Sequence, residues 1–116
     1  MRKIFFLSTC STCSRIIKEL NLTSEKFSFQ DIKKDKITPK QLDELKAMCG
    51  SYEALFSRTA MKYRALKLNE KALTEKDYRD FILKEYTFLK RPVISIDKHI
   101  FIGSSKKVID AVKSVL

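Results

Sequence analysis

Met1-Arg2-Lys3-Ile4-Phe5-Phe6-Leu7-Ser8-Thr9-Cys10-Ser11-Thr12-Cys13-Ser14-Arg15 opens on an apolar run and closes on two thiols separated by two residues. Met1 to Leu7 reads as a short buried strand, and from Cys13 the apolar positions fall at Ile16, Ile17 and Leu20, which is helical spacing. The thiols therefore straddle a strand-to-helix turn. The first turn of a helix presents unpaired backbone N–H groups and the positive end of the macrodipole, and both favour a thiolate over a thiol. Cys10 is the residue placed to benefit. With a free-thiol pKa of roughly 8.5, only about 3% would be ionised at neutral pH, whereas about 2 kcal/mol of stabilisation lowers the pKa by about 1.5 units and ionises roughly half. Cys13 lies about one helical turn on, within the reach of a disulfide.

A Cys-x-x-Cys at a βα junction of a small intracellular protein reads as a thioredoxin-like redox motif. Other uses of the two thiols are less well supplied. A zinc site needs a second pair of ligands, and the chain offers only Cys49 and His99 besides, so no metal is expected. A permanent disulfide suits a secreted chain, but Ile4 to Leu7 is too short for a signal-peptide core and no segment approaches membrane-spanning length. A cytoplasmic protein, with no membrane association, is expected, and there permanent disulfides are rare. Two inert core cysteines remain the alternative.

At 116 residues a single domain spanning 1–116 is expected, able to bury about two thirds of its unfolded surface and to fold without staples. Two glycines, two prolines and 44% apolar residues leave no room for linkers or disorder. The formal charge of +10, from 24 Lys and Arg against 14 Asp and Glu, suits an anionic partner: an oxyanion, an acidic protein surface or nucleic acid. No basic stripe with interleaved aromatics occurs, so direct nucleic-acid binding is not expected. A monomer is.

Beyond the first helix, Lys26-Phe27-Ser28-Phe29-Gln30 alternates as a half-buried strand, closing a βαβ unit with parallel strands. Lys33-Lys34-Asp35-Lys36 is a charge run that reads as a solvated loop. Thr38, Pro39 and Gln41 spell a helix start with a capping box, Ile37 stapling to Leu42; Leu42, Leu45 and Met48 form the buried stripe and Gly50 ends it. Between Ser51 and Leu68 the pattern predicts two short helices joined near Arg58, with Leu55, Phe56, Met61 and Leu66 inward. Thr74 caps a further helix, expected to run to about Tyr86 with Tyr78, Phe81 and Ile82 on one face and Leu73 as the staple. Val93-Ile94-Ser95-Ile96, a turn at Asp97-Lys98 and Ile100-Phe101-Ile102-Gly103 read as a hairpin. Ser104 or Ser105 then caps a last helix with Val108, Ile109, Val112, Val115 and Leu116 on one face.

The fold class is therefore α/β: a thioredoxin-like mixed four-stranded sheet with a helical insertion over about 38–89. In that architecture a proline before the hairpin commonly faces the thiol pair in cis, and Pro92 is the candidate, with an edge-strand proline as the plain alternative.

Cys10-Ser11-Thr12-Cys13-Ser14-Arg15 after the first strand, Ser57-Arg58-Thr59 in the middle and Leu89-Lys90-Arg91-Pro92-Val93-Ile94 before the hairpin resemble the ArsC/Spx family over essentially the whole chain. The resemblance implies a thiol-dependent oxidoreductase. In its glutaredoxin-coupled arsenate reductases the first cysteine attacks arsenate, glutathione attacks the adduct, arsenite leaves and glutaredoxin resets the enzyme. Cys10 matches that nucleophile, Arg91 matches one oxyanion-holding arginine, and Arg58 falls at or within one residue of another; Arg15 adds charge close by. Guanidinium groups suit the task, since each holds an oxyanion through two hydrogen bonds and offsets its repulsion from a thiolate. No bound cofactor is implied, and the electron donor would be glutathione with glutaredoxin, or thioredoxin. The chain departs from the arsenate reductases at Ile102-Gly103-Ser104, where they carry a further arginine, and in having Cys13, which they do not need.

The second branch of the family is Spx, a redox-sensing transcription regulator that binds the C-terminal domain of the RNA polymerase α subunit. Cys13, Ser57-Arg58-Thr59 and Gly50 resemble it; the Spx C-terminal extension has no counterpart in these residues. Cys49 reads as a buried spectator, His99 as an exposed turn residue, and Phe5, Phe6, Phe27, Phe29 and Phe81 as core packing.

Overall fold

The computed structural model describes residues 2–116, so Met1 and its share of the expected first strand lie outside the described residues. The chain forms two compact units, one built from the residues up to Lys36 together with Arg91–Leu116, the other from Ile37–Lys90.

The first unit is the thioredoxin-like layer of sheet and helix. Strand β1 (Arg2–Phe6) is followed by α1 (Ser11–Glu19), β2 (Ser28–Asp31), β3 (Val93–Ile96), β4 (His99–Ile102) and α5 (Lys106–Val115), numbered with the second unit's helices in between. The sheet order is β2-β1-β3-β4. β1 and β2 are parallel, with Ile4 opposite Phe29 and Phe6 opposite Asp31, whereas β1–β3 and β3–β4 are antiparallel. Ile4, Ile94 and Ile96 from the sheet pack with Ile16 of α1, its C-cap Leu20, and Ile109 and Val112 of α5, and Leu22 and Phe27 close the cluster. Periodicity found these positions because both helices are strongly amphipathic.

β2 begins two residues later than the alternation of Lys26 to Gln30 predicts. The N–H groups of Lys26 and Phe27 both go to the Thr23 carbonyl, closing a turn, so the ladder starts only at Ser28. Phe27 is nevertheless buried. The hairpin turns at Asp97 and Lys98, with Asp97 at φ 54°, and Ser105 rather than Ser104 caps α5, accepting from the Val108 N–H. Leu116 stays half exposed at the end of that helix.

The second unit holds α2 (Pro39–Cys49), α3 (Met61–Ala65) and α4 (Glu75–Lys84), with 3-10 turns at Glu53–Leu55, Leu68–Glu70 and Tyr86–Phe88. The expected capping box of Thr38 with Gln41 forms, and Thr74, expected as a cap, forms a second box with Asp77; each pair exchanges side-chain and backbone hydrogen bonds. Gly50 ends α2 at φ 96°, a conformation that disfavours any side chain. The unit's centre is aromatic, with Phe56 stacked on Phe88 at 5.1 Å and tilted against Tyr78 at 4.9 Å.

Besides Leu116, three apolar positions depart from expectation. Met48 is 38% exposed, Leu66 49% and Met61 89%. α3 is a single five-residue turn with no buried residue, so the periodicity of a longer helix does not apply to it. α4 stops at Lys84 because Glu85 is extended (φ −136°, ψ 111°), and Tyr86–Phe88 turns separately to bring Phe88 into the aromatic centre. Among the described residues no helix is long and apolar enough to cross a membrane.

Candidate active site

Cys10 is the N-cap residue of α1. Its own N–H donates to the Leu7 carbonyl at 3.0 Å and its carbonyl accepts from the Ser14 N–H at 3.2 Å, so the backbone on both sides of the thiol is fixed. No acidic residue occupies the first turn of the helix to compete for its positive end. Cys10 is partly exposed and Cys13 is fully buried; neither is in a disulfide.

The two thiols are pushed apart in acidity. Partial burial works against ionisation of Cys10, but the Cys13 N–H, the Cys13 thiol, the Thr12 N–H and the charge of Arg91 outweigh it and hold Cys10 below the ordinary thiol value. Burial pushes Cys13 up to about 11; a hydrogen bond with the Leu7 backbone works the other way, and donation to Cys10 together with the Cys10 charge adds to the rise. One sulfur is thus the more acidic and the more accessible of the two, and the other is a buried neighbour that hydrogen-bonds to it. A thiolate flanked by a reserve thiol can attack an electrophile and then surrender the adduct to an intramolecular disulfide.

Arg91 stands close enough to act on both sulfurs, and the bond that follows it, Arg91-Pro92, is cis. Pro92 is buried, its carbonyl accepting the Gly103 N–H at 3.0 Å just beyond β4. The two residues just before β3 are therefore the arginine and the cis proline that the sequence nominates. Arg15 has a different setting: 62% of its side chain is exposed and it lies 4.0 Å from Glu19 one turn further along α1.

Arg58 belongs to the second unit. Its Nη2 donates to Glu53 at 2.6 Å and to the Tyr78 hydroxyl at 3.0 Å, with the guanidinium 5.7 Å from the Tyr78 ring centroid. Ser57 and Thr59 on either side share a hydroxyl hydrogen bond of 3.0 Å. Cys49 is half-buried, its thiol donating to the Ser51 carbonyl at 3.3 Å, and His99 is exposed beside the Phe101 ring. No group of three or more potential metal-ligating side chains occurs among the described residues.

One contact near the thiols has no signature in spacing or composition. The Ser8 N–H, two residues before the N-cap, reaches across to the Asp31 carboxylate at the end of β2.

The ArsC family model matches residues 5–112. No curated protein matches the sequence. Among solved structures, the YFFB protein is 22% identical with a TM-score of 0.80, covering 100% of this chain and 99% of its own. A protein from Bacteroides fragilis described as related to the ArsC family is 21% identical with a TM-score of 0.79, covering 97% of each chain. An arsenate reductase from Vibrio cholerae is 14% identical with a TM-score of 0.78, covering 99% of this chain and 97% of its own. At such identities these likenesses establish the shared fold.

Proposed function

The chain belongs to the ArsC family, and on that premise we propose that it is a thiol-dependent reductase of a small oxyanion, with Cys10 as nucleophile. The observation that carries the reading is the asymmetry of the two sulfurs, one favoured as thiolate at a helix N-cap and the other protonated and buried against it. Arsenate is the substrate we favour. The Cys10 thiolate attacks arsenic(V) and displaces hydroxide, which leaves as water after protonation. The Cys13 sulfur, giving up its proton, then attacks the Cys10 sulfur; the sulfur–arsenic bond breaks with its electron pair going to arsenic, and arsenite leaves as a disulfide forms. Two electrons from the thiols reduce arsenic from the +5 to the +3 state, and glutathione with glutaredoxin, or thioredoxin, returns them to the protein. Glutathione attacking the Cys10 adduct directly balances equally.

Arg91 is assigned to the oxyanion, since its charge already acts on both sulfurs. Arg58 carries the same assignment on the resemblance, Arg15 is assigned to it as added charge close by, and each is tested singly as its Ala variant. Purified protein supplied with arsenate, glutathione and glutaredoxin, or with thioredoxin and its reductase, should release arsenite, and Cys10→Ser should abolish release. No arsenite with either thiol system overturns the arsenate assignment.

The contact between Cys13 and Cys10 favours a second reading, because glutaredoxin-coupled arsenate reduction has no need of it. A Spx-like sensor uses such a pair as its switch. That reading requires oxidation-dependent association with the C-terminal domain of the RNA polymerase α subunit; a pull-down with no association in either redox state removes it.

A further inference from the structure

Between the end of β1 at Phe6 and the Cys10 N-cap lie only Leu7, Ser8 and Thr9, and their path decides how the thiol meets the first turn of α1. The loop has an anchor within itself, the Cys10 N–H on the Leu7 carbonyl. Its other anchor comes from a neighbouring strand. Asp31 Oδ1 accepts the Ser8 N–H at 3.4 Å and the Lys33 N–H at 3.2 Å.

Asp31 is well fixed for that task. It pairs with Phe6 in the parallel ladder, the next N–H, from Ile32, donates to the Phe6 carbonyl at 2.9 Å, and its own carbonyl accepts from Lys34 at 3.1 Å and Asp35 at 2.7 Å. The Ser8 hydroxyl, against some loss of hydration, and then the N–H groups of Lys33 and Ser8 hold its carboxyl below the usual carboxylate range. The second oxygen, Oδ2, is buried and meets no hydrogen-bond donor among the described residues. An ionised group with one buried oxygen that meets no protein donor is unfavourable unless the contacts made by its other atoms matter.

We propose that Asp31 is a positioning residue for the nucleophile: by clasping Ser8 it holds the Leu7–Thr9 loop so that the Cys10 sulfur sits against the first-turn N–H groups of α1. The inference rests on the thiolate reading of Cys10 and adds a residue to that same site. It makes a prediction opposite in sign to plain electrostatics. A carboxylate acting through its charge would raise the pKa of a nearby thiol, so deleting it would lower that pKa; a clasp that aligns N–H donors lowers the pKa, so deleting it raises the value.

The test is the pH profile of Cys10 alkylation by iodoacetamide, in a Cys49→Ser background so that Cys10 dominates the reactivity. Asp31→Ala should move the midpoint upward and slow alkylation at pH 7 roughly threefold, as a rise of about half a pKa unit would. Asp31→Asn keeps an oxygen acceptor and should stay near the parent. An unchanged or lowered midpoint in folded Asp31→Ala overturns the proposal, and so does an Asn variant that shifts as far as the Ala variant. If Asp31→Ala does not fold, Asp31→Val, which suits a strand and carries no acceptor, decides in its place: a raised midpoint supports the clasp and an unmoved one overturns it. Should the parent itself titrate like a free thiol, the thiolate reading fails, while the clasp is still judged by the difference between parent and variant.

Discussion

Arg91 is the charge that acts on both sulfurs, and it lowers the pKa of each. Replacing it with Gln should raise the Cys10 midpoint and slow its alkylation at neutral pH, with no change in the far-ultraviolet circular dichroism. Cys13 makes the converse case. Its folded pKa is raised to about 11 from 9.0, so the stability gained by keeping it neutral is complete below pH 9 and is lost as pH climbs toward 11. A shift of that size corresponds to about 3 kcal/mol. Urea unfolding at pH 8 and at pH 10.5 should show a smaller alkaline loss for Cys13→Ala than for the parent. The spacing of the two cysteines was enough to find both residues and the helix start between them. Asp31 was not findable that way: its contact with Ser8 joins positions 23 residues apart, and only the register of β1 against β2 brings them together.

Helix boundaries were legible where side chains close them. Thr38 with Gln41 and Thr74 with Asp77 make reciprocal bonds that can be read from four consecutive letters. Thr38→Ala and Thr74→Ala should each lower unfolding free energy by about 1 kcal/mol, measured by urea titration. Short elements carry less signal. Met61 and Leu66 fit an inward stripe only if Met61 begins a helix of several turns, whereas α3 is too short to have an inner face. Periodicity is a statement about repeated turns, and one turn does not repeat. The second strand failed in a similar way, since Lys26 and Phe27 alternate correctly but spend their N–H groups on Thr23.

For the molecule as a whole, the order of strands and helices is legible because each element carries its own signal, and the parallel β1–β2 pair and the β3–β4 hairpin follow from a helical and a tight-turn connection, whereas the antiparallel pairing of β1 with β3 that joins them has no local signal. The setting of Arg58 could not be read, because Glu53 and Tyr78 reach it from separate segments of the helical unit. The formal charge of +10 is a property of the entire chain, and it should draw anions toward it. Iodoacetate, which is charged, should therefore gain on neutral iodoacetamide in alkylating Cys10 at low ionic strength, and the ratio of their rates should fall as salt is raised. A ratio indifferent to salt would mean that the cations lie where they do not influence approach to the sulfur.

The burial of Cys13 against Cys10 also bears on survival in the presence of peroxide. Once the outer sulfur is converted to a sulfenic acid, the inner one can condense with it and expel water, before a second peroxide carries the first sulfur to the irreversible sulfinic state. Intact-mass measurement after peroxide treatment should find the loss of two hydrogens in the parent and added oxygen in Cys13→Ala, so that the inner sulfur acts as a built-in safeguard against permanent oxidative damage.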